Sequence, residues 1–142
     1  MSNPLQDVCD QIAAVVGAVE GIRRATGKPP EQISEFPFVD VYVASATWGA
    51  RPNGMITGLV TVTIDLHLAR KDQPREAEQM HKYQYAIINA LFLALKNSTL
   101  TSLSTINDVG VQLTVFAGGA GQGSDTIGYR ITPQVKVQGV IQ

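Results

Sequence analysis

The sequence predicts a single α+β domain of 142 residues, with two helices packed on one face of an antiparallel or mixed sheet. Four segments alternate apolar and polar side chains with a period of two, as strands with one buried face do. Two other segments repeat apolar side chains at helical spacing. The resulting order is helix, strand, strand, helix, strand, strand (α-β-β-α-β-β). A chain of this length buries one substantial core, and we find no boundary for a second domain.

The first predicted helix begins with Asn3 as its N-cap and Pro4 at the first helical position. Its apolar side chains recur on one face at helical spacing. They are Leu5, Val8, Ile12, Val15, Val16, Val19 and Ile22. Gly27, followed by two prolines at residues 29–30, predicts the end of this helix.

A first strand is predicted at residues 36–47, and the turn residues at 48–54 then interrupt the pattern. Because the next strand begins near residue 59, we expect a long hairpin loop rather than a tight turn. Trp48 and Arg51 belong to residue types in which binding energy concentrates, so this loop is a candidate contact surface. Packing of Trp48 against the edge of the sheet explains its presence equally well.

The second strand, residues 59–68, places apolar side chains on one face and polar ones on the other. We expect the polar side chains of all strands to share the sheet face that the helices leave uncovered. They are Thr61, Thr63, Asp65, His67, Gln112, Thr114, Arg130, Thr132, Gln134 and Lys136.

The second helix is predicted to begin near Asp72 or Pro74 and to run to about Lys96. Its second half is apolar nearly all round, so more than one side must be covered. The sheet covers one side, and the first helix or a neighbouring subunit covers another.

The last two strands are predicted at residues 109–115 and 127–138, after a Ser/Thr-rich connection at 96–107. Between them, residues 117–124 contain four glycines and indicate a flexible hairpin loop. Pro133 has no N–H to donate, so the last strand is expected to lie at an edge or to be bulged there.

The composition disfavours several function classes. The formal net charge is −1 and the 11 Lys and Arg residues are scattered, which disfavours a nucleic-acid binder. The only cysteine, Cys9, excludes an internal disulfide and is predicted to be buried and unreactive in a reducing cytoplasm. We expect a soluble domain without signal peptide or membrane span, since the longest apolar run, residues 86–95, is about half the length that spanning requires.

No motif indicates catalysis, a cofactor or a metal. Glu78 and His81 have Glu-x-x-His spacing but lack the further ligands that a carboxylate-bridged metal site needs. Asp65 and His67 share a strand face without a nucleophile turn, so we expect an exposed polar pair. The glycines of residues 117–124 precede a strand rather than a helix, which disfavours a phosphate loop. We therefore expect no enzyme and no catalytic, cofactor-binding or metal-binding residue.

The pattern of the whole chain resembles the tail terminator and tail-completion proteins of long-tailed bacteriophages. The resemblance lies in the element order, the proline-containing strand at residues 36–43, the long hairpin loop and the strand at residues 61–66. The helix that opens with Pro74-Arg75-Glu76-Ala77 and continues through residues 85–91 is also similar. These are patterns of hydrophobicity, so no residue is carried over from the family as a site.

This resemblance implies a structural virion protein at the head-proximal end of the tail, assembled in the cytoplasm of the bacterial host. Such proteins form a ring, usually of six copies, which caps the tail tube, ends its polymerisation and offers its other face to head-completion or connector proteins. The genome passes through the centre without specific binding, and no cofactor or membrane is involved. Which sheet face lines the channel is left open.

The candidate interface residues lie in the two hairpin loops. They are Trp48, Arg51, Asn53, Met55, Gly119, Gln122 and Asp125. One alternative function is a neck or head–tail adaptor protein of the same fold, which binds the connector instead of the tube. Another is a small α+β enzyme or ligand-binding domain, which would need a closed apolar pocket with converging polar groups.

Overall fold

The computed structural model describes residues 3–28, 36–68, 77–116 and 126–140 of the chain. Two helices and a five-stranded mixed sheet confirm the predicted α+β class. The elements are α1 (Pro4–Gly17), β1 (Arg24–Thr26), β2 (Phe38–Ala50), β3 (Met55–Leu68), α2 (Ala77–Lys96), β4 (Thr105–Phe116) and β5 (Thr126–Val140). The short strand β1 was not predicted.

The sheet has the strand order β1-β2-β3-β5-β4. Strand β1 pairs with β2 in parallel, and the other three pairs are antiparallel. The long strands β2 and β3 form a hairpin, and β5 lies between β3 and β4. Among the described strands, β4 is therefore at one edge of the sheet.

Helix α1 begins as predicted, because the side chain of Asn3 accepts a hydrogen bond from the N–H of Gln6 at 3.2 Å. It ends at Gly17, so the predicted continuation toward Gly27 is wrong. Gly21 has φ +95°, a left-handed conformation that reverses the chain.

The residues after α1 contribute to the core from a turn. Val19 and Ile22 are half-buried against the core, so the apolar stripe continues although the helix does not. The N–H of Arg23 donates to the carbonyl oxygen of Pro37 at 2.9 Å, and the next three residues then pair with β2. Residues 24–26 therefore pair with the edge of β2 instead of continuing the helix.

Helix α2 ends at Lys96, as predicted, while its predicted start at Asp72 or Pro74 lies outside the described residues. The N–H groups of Ser98 and Thr99 donate to the carbonyl oxygens of Leu95 (3.1 Å) and Ala94 (2.8 Å). With Ser98 at φ 59°, this is a Schellman cap. Neither described helix has the length and apolar character needed to cross a bilayer.

The hydrophobic core lies between the two helices and one face of the sheet. Its fully buried members come from both helices and from β2, β3 and β5. They include Val8, Ile12, Val16, Val41, Val62, Ile64, Leu66, Ile87, Leu91 and Ile131. Burying a side chain of this size contributes about 1.5–3 kcal/mol relative to leaving it in water.

Pro133 lies in the interior of the sheet, so the predicted edge position of β5 is wrong. The alternative, an irregularity at this residue, agrees with the structure. The register of β4 against β5 shifts between Ile106 and Val109, and Val109 is the partner of Pro133. The missing N–H of proline therefore coincides with a break in the ladder of its neighbour.

Candidate functional site

The β2–β3 hairpin and β5 consist of two parts. We call residues 38–43, 62–68 and 126–133 the base, and residues 44–50, 55–61 and 134–140 the arm. The pairing of β2 with β3 shifts register between Val43 and Ser45, so a bulge lies where the two parts meet. Beyond it the strands continue to pair as far as Ala50 with Ile56 and Met55 with Val140.

The arm ends in a short turn of residues 51–54. The N–H of Arg51 donates to the carbonyl oxygen of Met55 at 2.8 Å, and the Asn53 side chain accepts from the N–H of Met55 at 3.1 Å. Gly54 supplies the left-handed conformation, with φ +83°. Arg51 and Asn53 are exposed at this tip, as a contact loop requires.

The predicted long loop between Trp48 and Met55 is wrong, because both residues lie on strands. A turn closed by hydrogen bonds within four residues leaves the flanking backbone free to continue the ladder. The other predicted loop residues, Gly119, Gln122 and Asp125, lie outside the described residues.

Trp48 lies directly opposite Gly58 in the pairing of β2 with β3. A Cβ atom built on Gly58 would lie 2.7 Å from Cζ3 of the Trp48 ring, so the ring occupies the place of the missing side chain. The Trp48 side chain is still 46% exposed. The strand therefore fixes one side of the indole and presents the rest to solvent. A glycine inside a strand pattern is the sequence signal for such a close approach.

A group of polar side chains, which we call the polar cluster, lies on the sheet face opposite the helices, within the base. Asp40 and Asp65 are direct partners on β2 and β3. The Nε2 atom of His67 lies 2.7 Å from Oδ1 of Asp40, and its Nδ1 lies 3.1 Å from Oγ1 of Thr126. The predicted exposed pair of Asp65 and His67 is therefore wrong, because each binds another partner.

The second half of this cluster is centred on Asp65. Arg130 donates from Nε to Oδ1 at 2.9 Å and from a terminal nitrogen to Oδ2 at 3.2 Å. The Tyr42 hydroxyl donates to Oδ2 at 3.1 Å. The hydrogen bond with Asp65 raises the pKa of Arg130, and burial followed by the charge of Asp65 raises the pKa of Tyr42. Both groups thus keep their protons at neutral pH.

Aromatic rings help to bury the cluster. The ring of His67 lies between Phe116, at 4.3 Å between centroids, and Phe38, at 6.0 Å. The guanidinium carbon of Arg130 lies 5.5 Å from the centroid of Phe116. Asp65 is consequently 4% exposed, and the expectation of a solvent-exposed polar face is wrong for this part of the sheet. Phe38 shares the face of Asp40, and such an aromatic residue on a polar face signals burial.

Asp40, Asp65 and His67 could also be considered as metal ligands, since one ligand atom from each lies within 4.8 Å of the others. Imidazole and carboxylates together suit several divalent metals. Here, however, the guanidinium of Arg130 already supplies a positive charge to Asp65, and His67 is bonded to Asp40. The arrangement is a closed network of internal partners, which favours a role in stabilising the fold.

Thr126, His67 and Asp40 form a chain of hydroxyl, imidazole and carboxylate, the groups of a nucleophilic triad. Catalysis would require substrate to reach the hydroxyl. Thr126 is buried in the base, and its hydroxyl is engaged with His67. The geometry thus favours a structural hydrogen-bond chain.

Cys9 is also buried, and burial followed by the charge of Asp10 raises its pKa to about 11, so its thiol is unreactive at neutral pH.

The largest exposed apolar side chains, apart from Trp48 and Leu59 in the arm, lie on α2 and β4. On α2 they are Tyr85, Phe92 and Leu93. On β4, Leu113 is 56% exposed and Val115 is 59% exposed, and both lie on the helix-bearing face of the edge strand. A long edge strand with exposed apolar side chains is a template for pairing with another chain.

A groove with a volume of about 480 Å³ separates α1 from α2. Most of its lining consists of small or apolar side chains. They are Ala14 and Val15 from α1, Ala18 at its C-cap, and Ala90, Leu93 and Ala94 from α2. Gln11, Asn97 and Thr99 contribute its polar lining. Exposed alanines let another molecule approach the helix backbones closely.

In comparisons with known protein families and with curated proteins, the sequence has no significant match.

Proposed function

We propose that the protein is a structural subunit that assembles into a ring, caps the tail tube of a long-tailed bacteriophage and joins it to the head. The observation that carries this proposal is the apolar edge strand β4, on which Leu113 and Val115 are more than half exposed. Their exposure leaves burial incomplete in a single copy. A partner chain that covers β4 would complete it.

The position of the exposed apolar side chains supports assembly with other copies. They lie in two regions of one chain, which are the arm and the side of the sheet that carries α2 and the exposed apolar side chains of β4. Contacts between two different surfaces are heterologous, and they form a closed ring when the rotation between copies closes. Because a closed ring has no terminal subunit, the β4 edge of every copy can be covered by a neighbour.

The arm supports a second contact, directed at the tube or at the head-side partner. Its turn presents Arg51 and Asn53 beyond the last paired residues of the hairpin. The polar cluster supports a structural rather than a catalytic role, because Asp40, Asp65, His67 and Thr126 are buried and the members of the cluster bind one another. A formal charge near zero is compatible with passage of DNA without tight binding.

Incubation of the purified protein with purified tail tubes tests the proposal by electron microscopy. We expect a ring, of six copies if the family pattern holds, at one end of each tube, and no further tube growth. The double variant Leu113→Asp, Val115→Asp should stay folded but fail to form rings. Gln112→Glu, an exposed change on the opposite face of the same strand, is the matched control.

Two results would contradict the proposal. One is normal tube capping by the β4 double variant. The other is the absence of any binding to tubes by the unchanged protein. Binding to the purified connector in place of the tube would instead assign the chain to the neck or head–tail adaptor proteins.

A further inference from the structure

We propose that the arm of one copy inserts Trp48 into the groove between α1 and α2 of the next copy. This inference rests on the proposed ring and specifies how neighbouring copies hold one another. It assigns the groove to a second copy of this chain, and it gives the hairpin arm a role between subunits.

Trp48 is held in place within its own chain. Its ring is seated on the backbone of β3 at Gly58, where any larger residue would displace it. A large side chain held in place before binding loses little conformational freedom when it is buried. Tryptophan is also among the residues most enriched where interface binding energy concentrates.

The groove has a shape and a chemistry that can accept an aromatic ring. Four alanines, Val15 and Leu93 line an open, largely apolar groove between the helices. Trp48 of the same chain is not part of its lining, because that ring is held over Gly58. An apolar groove of this size on a helix layer suits a flat aromatic ring from outside the chain.

The arm tip and helix α1 carry charges of opposite sign. Helix α1, which forms one wall of the groove, carries Asp7 and Asp10 outside the lining and no basic residue, whereas α2, the other wall, carries Lys96 in its last turn. The arm tip carries Arg51, which is exposed, and no acidic residue occurs between Asp40 and Asp65. An arm that enters the groove is therefore expected to turn its positive tip toward the first turns of α1 and away from Lys96 of α2. Complementary charges of this kind orient partners and favour head-to-tail association over tip-to-tip association.

Pairwise thiol cross-linking tests the contact, in a background in which Cys9→Ala removes the native thiol. One chain carries Ala50→Cys, two residues beyond Trp48 on the same face of β2, and a second, differently tagged chain carries Ala14→Cys in the groove. Both alanines are exposed, so each variant should fold. The matched control is Thr47→Cys, which is exposed on the opposite face of the same strand.

Under conditions in which copies assemble, in solution or on tubes, we expect a short thiol cross-linker to join the Ala50→Cys chain to the Ala14→Cys chain. Ala50→Cys should not cross-link to itself, and Thr47→Cys should cross-link at least 10-fold less. Trp48→Ala should weaken self-association roughly 30-fold, as loss of an interface hot spot does. Ala14→Arg, which fills the groove and leaves the arm unchanged, should weaken it to a similar extent.

The outcomes separate this inference from the proposed function. Rings that cap tubes without a cross-link between residues 14 and 50 would overturn the groove contact and leave the terminator function standing. A cross-link between copies that never bind tubes would support the contact and remove that function. Cross-linking of Ala14→Cys to the tube protein would assign the groove to the tube and overturn the inference.

Discussion

The base and the arm are built from the same three strands, with the same alternation of side chains, yet their polar faces have opposite surroundings. In the base, Thr63, Asp65 and His67 are buried together with Asp40. In the arm, Ser45 and Thr47 on β2 and Gln138 on β5 are exposed. The difference shows that a period of two determines which face a side chain occupies, and not whether that face meets water.

Two features of the base account for the burial of its polar face. Phe38 and, from the neighbouring β4, Phe116 lie beside the ring of His67, and the two carboxylates have hydrogen-bond partners within the cluster. The arm has Trp48 instead, and that ring lies on the other face. The bulge between Val43 and Ser45 separates the two parts, and bulges locally increase strand twist.

The strongest expected contrast between base and arm concerns two glycines of β5. A Cβ atom at Gly128, in the base, would overlap the carbonyl oxygen of Leu66, and backbone cannot move aside without breaking the β3–β5 pairing. Gly128→Ala should therefore lower the free energy of unfolding by about 4 kcal/mol or more. Gly139→Ala, in the arm, meets no atom within 4 Å and should change it by less than about 1 kcal/mol. Urea denaturation measures both. Equal effects would show that the two parts are packed alike.

A second contrast compares two aromatic side chains on β2. Phe38 is fully buried in the base, and Phe38→Ala should cost roughly 3–5 kcal/mol of folding free energy. Trp48 keeps about half of its surface in water, so Trp48→Ala should cost only about 1 kcal/mol in the single chain. Thermal unfolding at low protein concentration, where copies do not associate, provides the measurement. A larger loss for Trp48 than for Phe38 would reverse the comparison.

A third prediction concerns the ion pair of the base. Arg130→Met leaves the buried Asp65 carboxylate without its cation and should lower the free energy of unfolding by about 2–3 kcal/mol. This loss is smaller than that for a fully buried pair, because the Arg130 side chain is 41% exposed. Adding Asp65→Leu should recover more than half of this loss, because no unpaired charge then remains. Chemical denaturation of the single and double variants tests the coupling. A double variant that is less stable than Arg130→Met would contradict it.

The smallest expected effect is a loss of stability in alkali that originates in the base. Burial raises the pKa of Tyr42 and of Tyr129, and the arm contains no tyrosine. Since the folded-state pKa lies above the unfolded value, this contribution is complete below about pH 10 and is lost as the pH rises through the folded-state pKa. Tyr42→Phe should reduce the loss of folding stability with rising pH, as measured by urea denaturation midpoints above pH 9. Phenolate absorbance of the native protein provides the control, since Tyr42 should ionise late.

Much of the fold follows from local pattern. The four long strands, the N-cap at Asn3 and the end of α2 at Lys96 were predicted correctly, since alternation, capping chemistry and helical spacing act within a few residues. Strand β1 escaped prediction because three residues carry no recognisable period, and its formation depends on the free edge of β2. The end of α1 at Gly17 was missed for a related reason, because apolar positions 19 and 22 continue the stripe from a turn.

The candidate site was less predictable than the fold. Arg51 and Asn53 do form an exposed tip, as a contact loop requires. The seat of the Trp48 ring depends on Gly58, its partner across the hairpin, and this pairing follows from the register of β2 against β3 rather than from the spacing of side chains along one strand. The partners of His67, which are Asp40 and Thr126, lie 27 and 59 residues away along the chain.

The sequence alone thus determined the class of the fold, the face of each long strand and the lack of a recognised catalytic motif. These properties depend on the spacing of neighbouring side chains. The tertiary structure decided which polar residues are buried, which aromatic ring is presented to solvent and which strand is left at the edge. These three outcomes depend on the register between distant segments. The pairing of β2 with β3 places Asp40 beside Asp65, and the pairing of β4 with β5 leaves Leu113 and Val115 without a covering element among the described residues.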